Sequence, residues 1–270
     1  MKALLIVDAQ NDFMPGGALA VNEGDKIVPV INSIRNKFDL IIATQDWHPT
    51  GHCSFKEQGG IWPVHCVASS FGAQLHKDLI IKDDEKIIYK GINLDIDSYS
   101  GFFDNEKKYD TGLADFLKDN KVDDLYVCGL ATDYCVKFTA LDAITCGFKT
   151  TLIADACRGV EINTGDIQKS INEMRDAGVN VITSVDLFVD VDNKVKVKKP
   201  DVRIMVAGQV CTGKSTIAKV ICEALKSKGF DFEFVDDEPV DDDNQDARIE
   251  AIIKKHTNLL VETVQLRRSA

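Results

Sequence analysis

Short apolar runs of strand length alternate with segments of helical periodicity through residues 1–190, and few architectures satisfy that alternation. The runs are residues 3–7, 40–46, 86–90, 125–130, 149–156 and 179–183. Between them, Ile27, Val30, Ile31 and Ile34 recur at helical spacing, with Asp25 as the expected cap. Residues 112–120 and 164–177 read as further helices, the second capped by Thr164 or Asp166 and ended by Gly178. Runs that are apolar throughout, rather than alternating, suit strands buried on both faces. The pattern predicts an α/β fold: a parallel sheet between two layers of helices, closed by right-handed crossovers. In such a sheet, ligand-binding groups collect at the carboxyl ends of the strands. Three runs end in a charged residue at that place: Asp8, Asp46 and Lys90.

The stretch 121–143 carries the most chemical information. An apolar strand leads into a tight turn, residues 129–133, and then into a helix marked by Val136, Ala140, Leu141 and Ala143. Cys135 falls in the first turn of that helix, where free backbone N–H groups and the helix dipole favour an anion. A thiol placed there is expected to lose its proton more easily. Most cysteines are small buried apolar residues, and Cys128, Cys146, Cys157 and Cys222 read that way. Cys135 is the candidate nucleophile, and it needs one group to take its proton and another to stabilise the thiolate. Asp8 and Lys90 have the right chemistry, although a loop-capping aspartate and a solvated lysine would look the same in sequence.

Four of the five histidines, His48, His52, His65 and His76, lie in one stretch with both tryptophans. Asp46 and His48 are one residue apart, so in an extended segment both side chains leave the same face. With His65 from across the loop they make three protein ligands with open positions, the pattern of a catalytic or substrate-binding metal. That donor set suits Zn, Fe or Mn, against the alternative of structural histidines. The polar and aromatic segment 95–104 is placed to cover a pocket.

The chain has 270 residues, a formal net charge of −11 and eight cysteines. Such acidity argues against non-specific nucleic-acid binding. No apolar run is long enough to span a bilayer, and the one at residues 3–7 ends at once in Asp8. Cysteines without a secretory signal point to a reducing, cytoplasmic setting with free thiols. No Cys-x-x-Cys pair marks a structural zinc site.

Residues 191–200 read as a polar linker, and residues 201–270 as a second, small α/β unit. It opens with a strand, the loop Gly208-Gln-Val-Cys-Thr-Gly213-Lys214-Ser215-Thr216, and a helix. Backbone N–H groups of such a loop surround phosphates, the lysine reaches the terminal phosphate and the serine ligates Mg²⁺. The expected ligand is ATP or GTP with Mg²⁺; the plainer reading is a glycine-rich turn that permits close packing. The unit resembles a pared-down P-loop NTPase, and at about 70 residues it is small for a complete kinase.

Residues 1–190 resemble the nicotinamidases, within the isochorismatase-like cysteine hydrolases. The residues that carry the resemblance are Val7-Asp8-Ala-Gln-Asn-Asp-Phe13, Gln45-Asp46-Trp47-His48-Pro49, Trp62-Pro63-Val64-His65-Cys66, Lys90-Gly91, Asp97-Ser-Tyr-Ser-Gly-Phe102, Gly129-Leu-Ala-Thr-Asp-Tyr-Cys135 and Asp155-Ala-Cys-Arg-Gly-Val160. The resemblance implies a catalytic triad of Asp8, Lys90 and Cys135 and metal ligands Asp46, His48 and His65, with His52 a ligand in some members. It also implies a cis bond before Ala131, an oxyanion hole from the N–H groups of Ala131 and Cys135, and a ring sandwich from Phe13 and Trp62. The implied activity is hydrolysis of nicotinamide to nicotinate and ammonia, in NAD salvage. Two readings compete with it: an amidohydrolase of another small amide on the same fold, and a P-loop phosphotransferase or nucleotide sensor carrying the first unit as partner. Homo-oligomerisation is left open by the sequence.

Overall fold

The structure is a computed structural model and describes residues 1–188. The expected linker and P-loop unit, with Gly208, Gly213, Lys214, Ser215 and Thr216, lie outside the described residues. Ten elements follow in chain order: β1 (Lys2–Val7), α1 (Ile27–Ile34), β2 (Leu40–Asp46), β3 (Lys86–Lys90), α2 (Leu113–Asp119), β4 (Asp124–Leu130), α3 (Cys135–Thr145), β5 (Lys149–Arg158), α4 (Asp166–Asp176) and β6 (Asn180–Ile182). The strands form one sheet in the order β3-β2-β1-β4-β5-β6, and every pairing is parallel.

The central strand β1 is buried from Ala3 to Val7, which accounts for its unbroken apolar run. The chain winds from β1 to β2 and β3 on one side, and from β4 to β5 and β6 on the other. Right-handed crossovers running in opposite directions place α1 and α3 on opposite faces. Both helices pack on β5. From α1, Ile27, Val28, Ile31 and Ile34 are buried, each worth roughly 1.5–3 kcal/mol of burial. Gly129, in β4 opposite Val7, adopts φ +121°, and a Cβ there would run into the Val7 backbone. Only glycine lets β4 lie this close to β1 at that point.

Two cap expectations are corrected. Asp25 lies inside a short 3₁₀ turn, Gly24–Lys26, and α1 begins after Lys26 without a side-chain cap. The residue before α4 is Gly165 at φ +97°, so neither Thr164 nor Asp166 takes the cap position. Asp166 instead accepts a hydrogen bond from the Asn163 N–H at 2.9 Å, and Glu161 accepts one from Gly165 at 3.0 Å. Cys128 and Cys157 are buried as expected, while Cys146 is only half-buried.

Candidate active site

The change of winding direction falls between β1 and β4, and it opens a crevice at their carboxyl ends. Asp8 follows β1, Asp46 ends β2, Lys90 ends β3, and the turn after β4 delivers Ala131 and Cys135. The parallel register brings these ends level, with Asp46 opposite Lys90 and Val7 opposite Gly129.

Lys90 is buried between two carboxylates. Its Nζ lies 2.5 Å from Asp46 Oδ1 and 2.9 Å from Asp8 Oδ2. It also donates to the Ser98 carbonyl at 2.9 Å and to Cys135 Sγ at 3.5 Å. Asp8 Oδ2 is held by its ion pair with Lys90. The other oxygen, Oδ1, accepts from Thr44 Oγ1 at 2.6 Å, and Thr44 Oγ1 accepts from the Asp8 N–H at 3.2 Å. One buried carboxylate oxygen is thus fixed by Thr44, and the other faces the Lys90 ammonium. Oxygens of Asp8 and Asp46 and the Cys135 sulfur lie within 4.8 Å of one another.

The electrostatics correct one expectation. Cys135 is the first residue of α3, as predicted, yet burial pushes its thiol well above the ordinary value and outweighs the opposing pull of Lys90. Burial also raises Asp8, against the pull of Lys90 and with the help of Asp46. A base with a raised pKa is the stronger partner for such a thiol. Burial alone would lower Lys90, but Asp46 and Asp8 hold it well above the usual lysine value.

On the far side of Asp46 stand the histidines. Ligand atoms of Asp46, His48 and His65 lie within 4.8 Å of one another, and all three residues are buried. His48 Nδ1 is 2.9 Å from the Gly91 carbonyl, and His65 Nδ1 is 2.8 Å from the Pro63 carbonyl. Each carbonyl fixes the proton on Nδ1 and leaves Nε2 with its lone pair, which is how metal-ligating histidines are oriented. His48 Nε2 lies 3.7 Å from Asp46 Oδ2. This donor set fits a divalent metal. Gly91, at φ +61°, leaves room for the His48 ring, which a Cβ at that position would meet. His52 stands behind this group. Its ring stacks on His48 at 4.1 Å between centroids, and its nitrogens meet Ser54 Oγ at 2.8 Å and the Ile96 carbonyl at 3.2 Å.

Phe13 and Trp62 line a single pocket with Cys135, Ala131 and His65. Tyr99 and Tyr134 line it too, and sequence reasoning missed both. Tyr99 accepts a hydrogen bond from Trp62 Nε1 at 3.1 Å, so the segment expected to cover the pocket does reach it. The bond from Leu130 to Ala131 is cis. Around it, Thr132 donates to the Arg158 carbonyl, and Tyr134 and Val136 both donate to the Ala131 carbonyl. The N–H groups of Ala131 and Cys135 stand outside that set of bonds. Thr44 and Ser98 are further residues to which sequence reasoning assigned no role. Thr44 sits in an apolar run, and no spacing rule ties it to Asp8.

Residues 2–186 match the isochorismatase domain family. The chain is 47% identical over 204 residues to the nicotinamidase of Escherichia coli K12, covering 68% of this chain and 96% of that protein. It is 36% identical over 190 residues to the nicotinamidase/pyrazinamidase of Mycobacterium tuberculosis, covering 68% and 100%. Among solved structures, the pyrazinamidase of Pyrococcus horikoshii in complex with zinc is similar at 44% identity and a TM-score of 0.61, over 67% of this chain and 98% of that one. A structure from L. infantum in complex with nicotinate is similar at 40% identity and a TM-score of 0.66, over 68% and 93%. The chain therefore belongs to the isochorismatase domain family and, within it, to the nicotinamidases, hydrolases of an amide bond.

Proposed function

We propose that this chain hydrolyses nicotinamide to nicotinate and ammonia through a thioester on Cys135. The observation that carries the reading is the buried meeting of Asp8, Lys90 and Cys135 at the carboxyl ends of three strands of one sheet, beside a pocket walled by aromatic rings. Phe13 and Trp62 hold the pyridine ring between them. Asp8 Oδ2 takes the thiol proton as Sγ attacks the carboxamide carbon, and the carbonyl electron pair moves onto oxygen. The N–H groups of Ala131 and Cys135 receive that oxyanion. Lys90 balances the charge on Asp8 and on the sulfur in turn. The C–N bond then breaks, Asp8 returns the proton to the leaving nitrogen, and ammonia departs. In the second half Asp8 takes a proton from water as the water oxygen attacks the thioester. Sulfur leaves with that proton, and the new acid ionises to nicotinate. A divalent metal (Zn, Fe or Mn) on Asp46, His48 and His65 would hold and polarise the ring nitrogen.

Ammonia release from nicotinamide tests the scheme. Cys135→Ala should reduce it by several orders of magnitude with the protein still folded; substantial residual turnover would exclude the covalent route. The free cysteines of the described residues suit a reducing, cytoplasmic setting. For residues 201–270 we propose nucleotide binding at Gly208, Gly213, Lys214, Ser215 and Thr216, supported by the motif spacing alone. Binding of ATP–Mg²⁺ by the full chain, lost in Lys214→Ala, is the expected result; no binding by the parent chain removes the proposal.

A further inference from the structure

The loop after β1 does more than carry Asp8 and Phe13. Strand β2 pairs with β1 from Leu40 to Ala43, after which β1 turns away. On its other edge β2 stays paired with β3 up to Asp46 opposite Lys90, and Trp47 donates to the Lys90 carbonyl at 2.9 Å. The N–H and C=O of Asp46 point to the side that β1 has left. There the side-chain amide of Gln10, fully buried, accepts from the Asp46 N–H at 2.8 Å and donates to the Asp46 carbonyl at 2.8 Å. Its second N–H donates to the Ala73 carbonyl at 2.8 Å. One glutamine amide thus supplies the missing rung of the sheet at the residue whose carboxylate faces both Lys90 and His48.

Two residues on, Asp12 does the same for the neighbouring loop. Its Oδ2 accepts from the Cys66 N–H at 2.7 Å, and its own N–H donates to the Gly72 carbonyl at 3.0 Å. The carboxylate fills the space a Cβ would take at Gly72. Cys66 follows His65 directly and is held at φ +45°, a conformation uncommon outside glycine. A charge-assisted bond at that amide fixes the peptide that carries His65.

We infer that Gln10 and Asp12 are positioning residues that lock Asp46 and His65 into one metal-binding geometry and tie it to the loop bearing Asp8. The inference rests on the reading that Asp46, His48 and His65 hold a metal. Neither side chain touches that site directly; each acts through the backbone of a ligand or of its neighbour.

The test is zinc affinity of the full chain, measured by competition with a chromogenic chelator, with thermal unfolding of the metal-free protein alongside. The variant Asp46→Ala with His48→Ala corrects for zinc held elsewhere. If the parent binds no more zinc than that variant, the metal reading itself fails. If the parent binds, Gln10→Met, similar in volume but without the amide, should weaken zinc about 10- to 100-fold, the usual cost of losing a group that orients ligands. Asp12→Asn, the milder change, should weaken it about tenfold, and Asp12→Glu should not restore it because the longer side chain no longer fits over Gly72. Zinc affinity within twofold of the parent for both Gln10→Met and Asp12→Asn, or a lower midpoint of metal-free unfolding with unchanged zinc affinity, overturns the inference. Should Gln10→Met fail to fold, Asp12→Asn decides it alone.

Discussion

Lys90→Met removes the one buried cation between Asp8 and Asp46 and keeps most of the side-chain volume. At 2.9 and 2.5 Å, and with an effective dielectric constant of about 20, each ion pair is worth roughly 6 kcal/mol before desolvation. Burying three charges consumes most of that, so the net worth of the arrangement is small. Removing one partner is different, because two carboxylates remain buried without a counter-charge, and such losses run to about 3–5 kcal/mol. For a unit of this size that lowers the unfolding midpoint by roughly 6–20 °C. Trp47 and Trp62 are the only tryptophans in the chain, so their fluorescence reports on this unit alone. Urea unfolding of metal-free protein, followed by that signal, is the assay. The sign with pH is fixed by Lys90, whose folded pKa is raised by Asp46 and Asp8 against the effect of burial. Its contribution is fully present below the unfolded lysine value of about 10.4 and is lost only as pH climbs through the higher folded value. The gap between parent and variant should therefore hold up to about pH 9, short of the unfolded lysine value, and narrow as pH falls and the stranded carboxylates, raised by burial without Lys90 to oppose it, take up protons. The double variant with Asp8→Asn should recover part of the loss, since it removes one stranded charge. A loss under about 1 kcal/mol at pH 7, or no recovery in the double variant, would refute the reasoning.

Two further outcomes are expected. Tyr99→Phe deletes the hydroxyl that accepts from Trp62, a bond worth about 1 kcal/mol, so KM for nicotinamide should rise roughly fivefold with kcat within about twofold; an unchanged KM would show that this bond does not hold the ring wall. Burial raises the Asp104 carboxyl, but bonds from the N–H groups of Tyr109, Lys108 and Glu106 outweigh it and hold it below the usual aspartate value. Its contribution is present above the unfolded value of about 3.9 and is lost as pH falls through the lower folded value. Asp104→Asn should therefore cost about 1–2 kcal/mol at pH 7 and progressively less as pH falls below about 3.9; a loss that does not change with pH would contradict this.

What the sequence discloses follows from how local each cause is. Apolar runs closed by Asp46 and Lys90 mark strand ends to the residue, because the switch from buried core to site is abrupt. Cys135 is placed at a helix start by its neighbours alone. The thiol's protonation is not legible, because it depends on burial under segments distant in sequence. Thr44 and Gln10 are invisible for a related reason. Their partners, Asp8 and Asp46, are fixed by the pairing of β1 with β2 and by where that pairing stops. The caps of α1 and α4 misled because glycine and 3₁₀ geometry displaced the expected Asp25 and Thr164.

The central claim is that Asp8, Lys90 and Cys135 act as one unit to make a covalent bond. It is tested most directly by acid-quenching the enzyme during turnover of saturating nicotinamide and weighing its peptides. The account predicts a nicotinoyl group on the peptide containing Cys135, absent in Cys135→Ala and absent when Asp8→Asn removes the base. Steady turnover with no acylated Cys135 peptide, or acylation at full rate in Asp8→Asn, would contradict it.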